Sequence, residues 1–159
     1  ELKGLALEKR DNSNLALQFA VGLSAAKRGD LADAEKALEN LIALREKSEA
    51  RTNGVYRAKI ISVSEKELAA AIADSRGEST AAEALLRDAV AIETTLNAPS
   101  GPPVPVKPSF EMYGEFLLAA GRLSEAAEQF EFALTRTPNR TKSVLGLAKA
   151  QPVQYGEAR

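Results

Sequence analysis

No cysteine, no histidine and no tryptophan occur in this chain of 159 residues, and each absence removes a chemistry. Without thiols there are no disulfides, no thiolate metal ligands and no cysteine nucleophile. Without imidazole there is no histidine general base, no serine–histidine triad and no histidine-ligated zinc. Carboxylate and lysine chemistry remain, but a glycosidase built on paired carboxylates such as Glu65/Glu67 or Glu111/Glu115 would lack an aromatic sugar platform. The formal net charge is only −1, so no bulk field favours nucleic acid or an anionic membrane. No apolar run reaches the length of a membrane span, and no two-residue alternation of branched residues calls for strands. A glycine-rich phosphate loop following a strand is therefore absent as well. The composition excludes more than it identifies.

What is present is repetition. Three segments share one punctuation: Ala26-Lys27-Arg28-Gly29-Asp30-Leu31-Ala32-Asp33-Ala34, Ala73-Asp74-Ser75-Arg76-Gly77-Glu78-Ser79-Thr80-Ala81-Ala82, and Ala119-Ala120-Gly121-Arg122-Leu123-Ser124-Glu125-Ala126. In each, a glycine closes one apolar-periodic helix and a polar residue opens the next, with an alanine five residues beyond the glycine. Recurrence of a helix–turn–helix unit predicts a stacked array, in which each unit buries its apolar face against its neighbours.

The pattern gives an all-α chain forming a single domain over 1–159, with hairpins at about 15–47, 55–96 and 109–136. Leu2, Leu5 and Ala6 suggest a short leading helix, and the polar run Asp11 to Asn14 can cap the helix after it. Asp30 and Ser109 are further capping candidates, and Thr141 to Ala150 reads as a solitary last helix. Residues 99–108 hold five prolines, which cannot continue a helix and favour an extended connector. That connector is expected to be ordered, with Val104 and Val106 turned toward helix surfaces. As bait for a proline-recognition domain it would need to stand free; as a stiff spacer it lies along the helices.

The third hairpin carries the motif Phe110-x2-Tyr113-Gly114-x2-Leu117, then Ala126-x3-Phe130-x2-Ala133 and a closing Pro138. This is similar to the tetratricopeptide repeat, with its large–small–large first helix and its Ala–aromatic–Ala second helix. The first hairpin fits the frame as Gln18-x2-Val21-Gly22-x2-Ala25 with Ala34, Leu38 and Leu41. The second fits as Lys66-x2-Ala69-Ala70-x2-Ala73 with Ala82, Leu86 and Ala89. Small residues recur where paired helices must approach, and Gly114 is expected to meet Ala126. Gly29, Gly77 and Gly121 are 48 and 44 residues apart rather than the family's roughly 34, so the repeats resemble degenerate ones with inserts. Lys107 to Glu115 and Arg136 to Arg140 look like the terminal part of larger bacterial repeat proteins, which implies a chain continuing upstream of Glu1.

The resemblance implies a right-handed solenoid of three hairpins with flanking N- and C-terminal helices, acting as a non-catalytic scaffold for proteins, with no cofactor and no metal. In this family the first helices of the hairpins line a concave face that holds a peptide or partner helix. Carried over, that face would comprise Phe19, Leu23 and Lys27, then Glu67, Ala71 and Asp74, then Glu111, Glu115 and Leu118. Phe19, Leu23, Glu67, Asp74, Glu111 and Glu115 are the candidate partner-binding residues. Their carboxylates would form one acidic surface suited to a basic or amphipathic peptide. The competing reading makes them a solvated helix face, with Phe19 and Leu23 covered by the leading helix. The basic clamp by which chaperone-binding members hold a carboxylate has no counterpart at these positions. The alternative function is structural: a helical array mediating self-assembly or joining an upstream domain.

Overall fold

The computed structural model describes residues 14–99 and 105–151, and these fold into seven α-helices with no strand among them. They are α1 (Leu15–Arg28), α2 (Leu31–Glu49), α3 (Val55–Ser75), α4 (Ser79–Thr94), α5 (Ser109–Ala119), α6 (Leu123–Arg136) and α7 (Thr141–Ala150). The expected leading helix around Leu2, Leu5 and Ala6, together with Val104, lies outside the described residues.

The three glycines end α1, α3 and α5 by one mechanism. Gly29, Gly77 and Gly121 have φ of 79°, 77° and 74°, in the left-handed region, and no atom stands within 4 Å of where a Cβ would sit. Glycine is therefore required by conformation and not by space. At each turn the residue after the glycine donates its N–H five residues back, Asp30 to Ala25, Glu78 to Ala73 and Arg122 to Leu117, which closes the helix end and reverses the chain. Asn14 caps α1 as expected, accepting the N–H of Leu17 at 3.1 Å. Asp30 caps nothing with its side chain; it pairs with Arg28 instead.

Each helix packs on the next in sequence, and α3 also packs on α1 and α5, while α5 packs on α7. More than half of the buried apolar residues are alanines, so helices meet at short range. Gly22 faces Leu68 and Ala37 so closely that a Cβ would lie 2.5 Å from Leu68. In the third hairpin, Phe130 fills the space beside Gly114, where the sequence frame put Ala126. Its ring is wedged between Gly114 of α5 and Gly146 of α7, and Phe130 itself is fully buried.

Polar ties join the hairpins across this core. Ser75 of α3 donates to the Ala26 carbonyl at 2.8 Å, and Arg45 of α2 bonds Glu65 of α3 at 2.7 Å. Glu83 of α4 accepts from Arg122 at 2.8 Å, Tyr113 at 2.9 Å and Arg87 at 2.8 Å. The Arg122 guanidinium, helped by Tyr113 and Arg87 and opposed by partial burial, holds the Glu83 carboxyl down to about 2. Arg136 of α6 donates to the Leu96 carbonyl at 3.1 Å and so ties α6 to the chain just after α4.

The Phe130 wedge gives a direct test. Gly146→Leu should destabilise the fold by about 1–3 kcal/mol despite leucine's better helix propensity, because a Cβ there would lie 2.4 Å from the ring. Gly114→Leu should act likewise. Combined with Phe130→Ala, either change should cost less than the sum of its parts in denaturant unfolding; strict additivity would show that the ring does not fill both spaces.

Candidate functional site

Because each hairpin turn reverses the chain, α1, α3 and α5 lie side by side, and an open groove of about 520 Å³ runs across them. Leu23 and Lys27 enter it from α1, Ala71 and Asp74 from α3, and Met112, Glu115 and Phe116 from α5. A second recess of about 480 Å³ shares Leu23 and Lys27 and extends to the connector and the start of α7. Its walls include Phe19, Val106, Lys107, Glu111, Arg140 and Lys142.

The sequence-derived candidates divide by depth. Leu23 and Glu115 are half-buried and Asp74 is exposed, and all three line the first groove. Phe19 is buried in the core formed by α1, α2 and α3, and it borders the second recess. Glu111 has no exposed surface, and Glu67 has none either and lines neither recess. The expected acidic surface of four exposed carboxylates is thus corrected: helix spacing turned Glu67 and Glu111 to the predicted side, but neighbouring segments cover them.

Glu111 is held by charge. Arg140 donates to it twice, from Nε at 2.7 Å and Nη2 at 3.1 Å, and Ser143 Oγ donates at 2.8 Å. Lys107 lies 3.7 Å away and bonds Glu115 at 2.8 Å. Burial alone would raise the Glu111 carboxyl, but the bonds from Arg140 and Ser143 and the charge of Lys107 outweigh it and hold the group below the usual carboxylate range. This network joins the connector, α5 and the start of α7. It also corrects the expected facing of the connector: Pro105, Lys107 and Pro108 are buried while Val106 is 42% exposed. Two carboxylates within reach of the Lys107 ammonium outweigh the burial of one valine side chain.

Ser109 is likewise not the cap of α5 but its first residue, and the cap comes from another helix. Glu93 of α4 accepts both the Ser109 N–H and its hydroxyl at 2.6 Å, placing a carboxylate at the positive end of α5.

Glu67 differs from all of these. Both of its carboxyl oxygens are buried without a hydrogen-bond partner. Burial, and then the charges of Glu93, Glu111 and Glu115 against the opposing charge of Lys107, push it well above the usual carboxylate range. Lys107, Arg140, Met112 and Phe116 were not singled out from the sequence as groove residues. The signal for Met112 and Phe116 is their helical spacing with Glu115, whereas Lys107 and Arg140 reach the site only through the turns that precede α5 and α7. Among the described residues no group of Asp and Glu side chains is arranged to hold a metal ion, and no helix is long and apolar enough to cross a membrane.

The two carboxyls make opposite demands on pH. The folded pKa of Glu67 lies above its unfolded value near 4.5, so its contribution is complete below that pH and is lost as pH rises toward the folded value. Glu111, with its folded pKa depressed, contributes above the unfolded value and is lost as pH falls. Glu67→Met, which removes both unpartnered oxygens at similar volume, should therefore stabilise the chain by about 1–3 kcal/mol and flatten the decline in stability on the alkaline side. Glu111→Ala should destabilise by about 3–5 kcal/mol and flatten the acid limb. Thermal unfolding across pH measures both, and a destabilising Glu67→Met would show that its carboxyl has a stabilising partner.

Comparison with models of known protein families, with curated proteins and with solved structures finds no match to this chain.

Proposed function

We propose that the chain is a tetratricopeptide-like right-handed solenoid and a non-catalytic interaction module that holds a peptide or partner helix in the groove over α1, α3 and α5. The observation that carries this reading is the groove itself. It is open and crosses three helices that are far apart in sequence, and its floor includes the half-buried apolar side chains of Leu23, Met112 and Phe116. A concave, largely apolar surface edged by a few polar groups is the geometry of peptide recognition by packed helices. Glu111, on which a carboxylate-dependent hydrolase would rest, is bonded by Arg140 and Ser143 within the fold. That favours binding over hydrolysis.

A structural role in assembly is the second reading, and a separate observation favours it. Phe132 of α6 is 56% exposed, and Val144 and Leu145 of α7 are 46% and 56% exposed. Apolar side chains left outside on consecutive packed helices suit contact with a further helix or a second copy. The two readings use different faces and can be separated by substitution.

Peptides selected from a displayed random library against the intact chain provide the test. Ala71→Phe, which adds bulk to the open groove, and Met112→Gln should each weaken capture of the selected peptides severalfold, while Phe132→Ser with Leu145→Ser leaves it unchanged. Selected peptides that ignore both groove variants would exclude the groove. A self-association measured by sedimentation and abolished by the Phe132 and Leu145 changes would favour assembly.

A further inference from the structure

Resting on the groove reading above, we propose that the occupant is an acidic–apolar segment, with its carboxylates at the α1–α7 end of the groove and its apolar side chains over Leu23, Met112 and Phe116. The charges on the walls carry this. Among the described residues, five cationic side chains, Lys27, Arg28, Lys107, Arg140 and Lys142, line the second recess with one carboxylate, Glu111. Glu111 has no exposed surface and is committed to Arg140 and Ser143.

Arg28 is paired with Asp30 at 3.2 Å and Lys107 with Glu115 at 2.8 Å. Lys27 and Lys142 are exposed and make no ion pair among the described residues. Both line one recess, Lys27 from the last turn of α1 and Lys142 from the start of α7.

Lys27 also lines the first groove, which makes it the junction between the basic recess and the apolar floor. Asp74, on the wall of the first groove, is exposed and makes no ion pair among the described residues. A carboxylate is attracted at Lys27 and Lys142 and repelled at Asp74, so a segment acidic at one end and apolar along the rest has one favoured direction. Among the described residues, the joined recesses thus carry an excess of positive charge although the chain as a whole is slightly negative. This reverses the basic partner suggested by the sequence, because two of the carboxylates behind that suggestion are buried.

Fluorescence anisotropy with two short dye-labelled peptides tests the proposal on the full chain. Both carry the same leucine and phenylalanine pattern, one with Asp and Glu at one end and the other with Lys there. The acidic peptide should bind more tightly, and more weakly as salt rises, since exposed charges are screened beyond roughly 8–10 Å at physiological ionic strength. Lys27→Glu with Lys142→Glu should weaken it by roughly tenfold or more while the melting temperature holds. Asp74→Lys should strengthen it. Preference for the basic peptide, or indifference of the acidic one to Lys27→Glu with Lys142→Glu and to Asp74→Lys, would overturn the acidic partner; if Ala71→Phe still blocked binding, the groove itself would stand. Binding of neither peptide would overturn the charge assignment too, and the library selection would then judge the groove alone.

Discussion

Close approach of helices through small side chains is the constraint on which the rest of this structure depends. Alanine and glycine at the crossings let the backbones draw together, and the few large residues then act as wedges whose positions are tightly determined. Phe130 shows the consequence: its ring has room only because Gly114 and Gly146 have no side chains. The same closeness sets α1, α3 and α5 edge to edge, so that a groove forms above them.

Tight packing leaves little volume for apolar side chains, and part of the interior is polar instead. Glu93 and Glu111 are buried but satisfied, one by the start of α5 and the other by Arg140 and Ser143. Replacing such groups with apolar ones is often tolerated, whereas removing one partner is costly, so these bonds specify where α5, α7 and the connector sit. Glu67 is unsatisfied and costs stability where it stands. Marginally stable proteins keep such groups where another requirement outweighs their cost. Of the charged groups that act on it, Lys107 and Glu111 line the basic recess.

The groove derives its character from this division between buried and exposed charge. Two of the four carboxylates that would have made it acidic, Glu67 and Glu111, are buried, while Lys27 and Lys142 remain exposed. An interaction surface is defined by the charges left over after the fold has paired its own, and net charge along the sequence is a poor guide to it.

The helices and their ends were legible in the sequence because the causes are local. Gly29, Gly77 and Gly121 mark left-handed turns that few other residues adopt, and apolar spacing shows which side of each helix faces a neighbour. Spacing also brought Leu23, Lys27, Ala71, Asp74 and Glu115 to one groove. Depth was not legible, because it depends on what arrives from elsewhere in the chain. Glu67 and Asp74 share a face of α3, yet one is sealed and the other is exposed. Glu111 and Glu115 are one turn apart on α5, and Arg140 and Ser143 of the following segment bond the first and not the second. Periodicity fixes the direction in which a side chain leaves its helix; only tertiary packing decided which of those side chains still meets solvent, because cover such as that of Glu111 by Arg140 and Ser143 comes from residues remote in sequence.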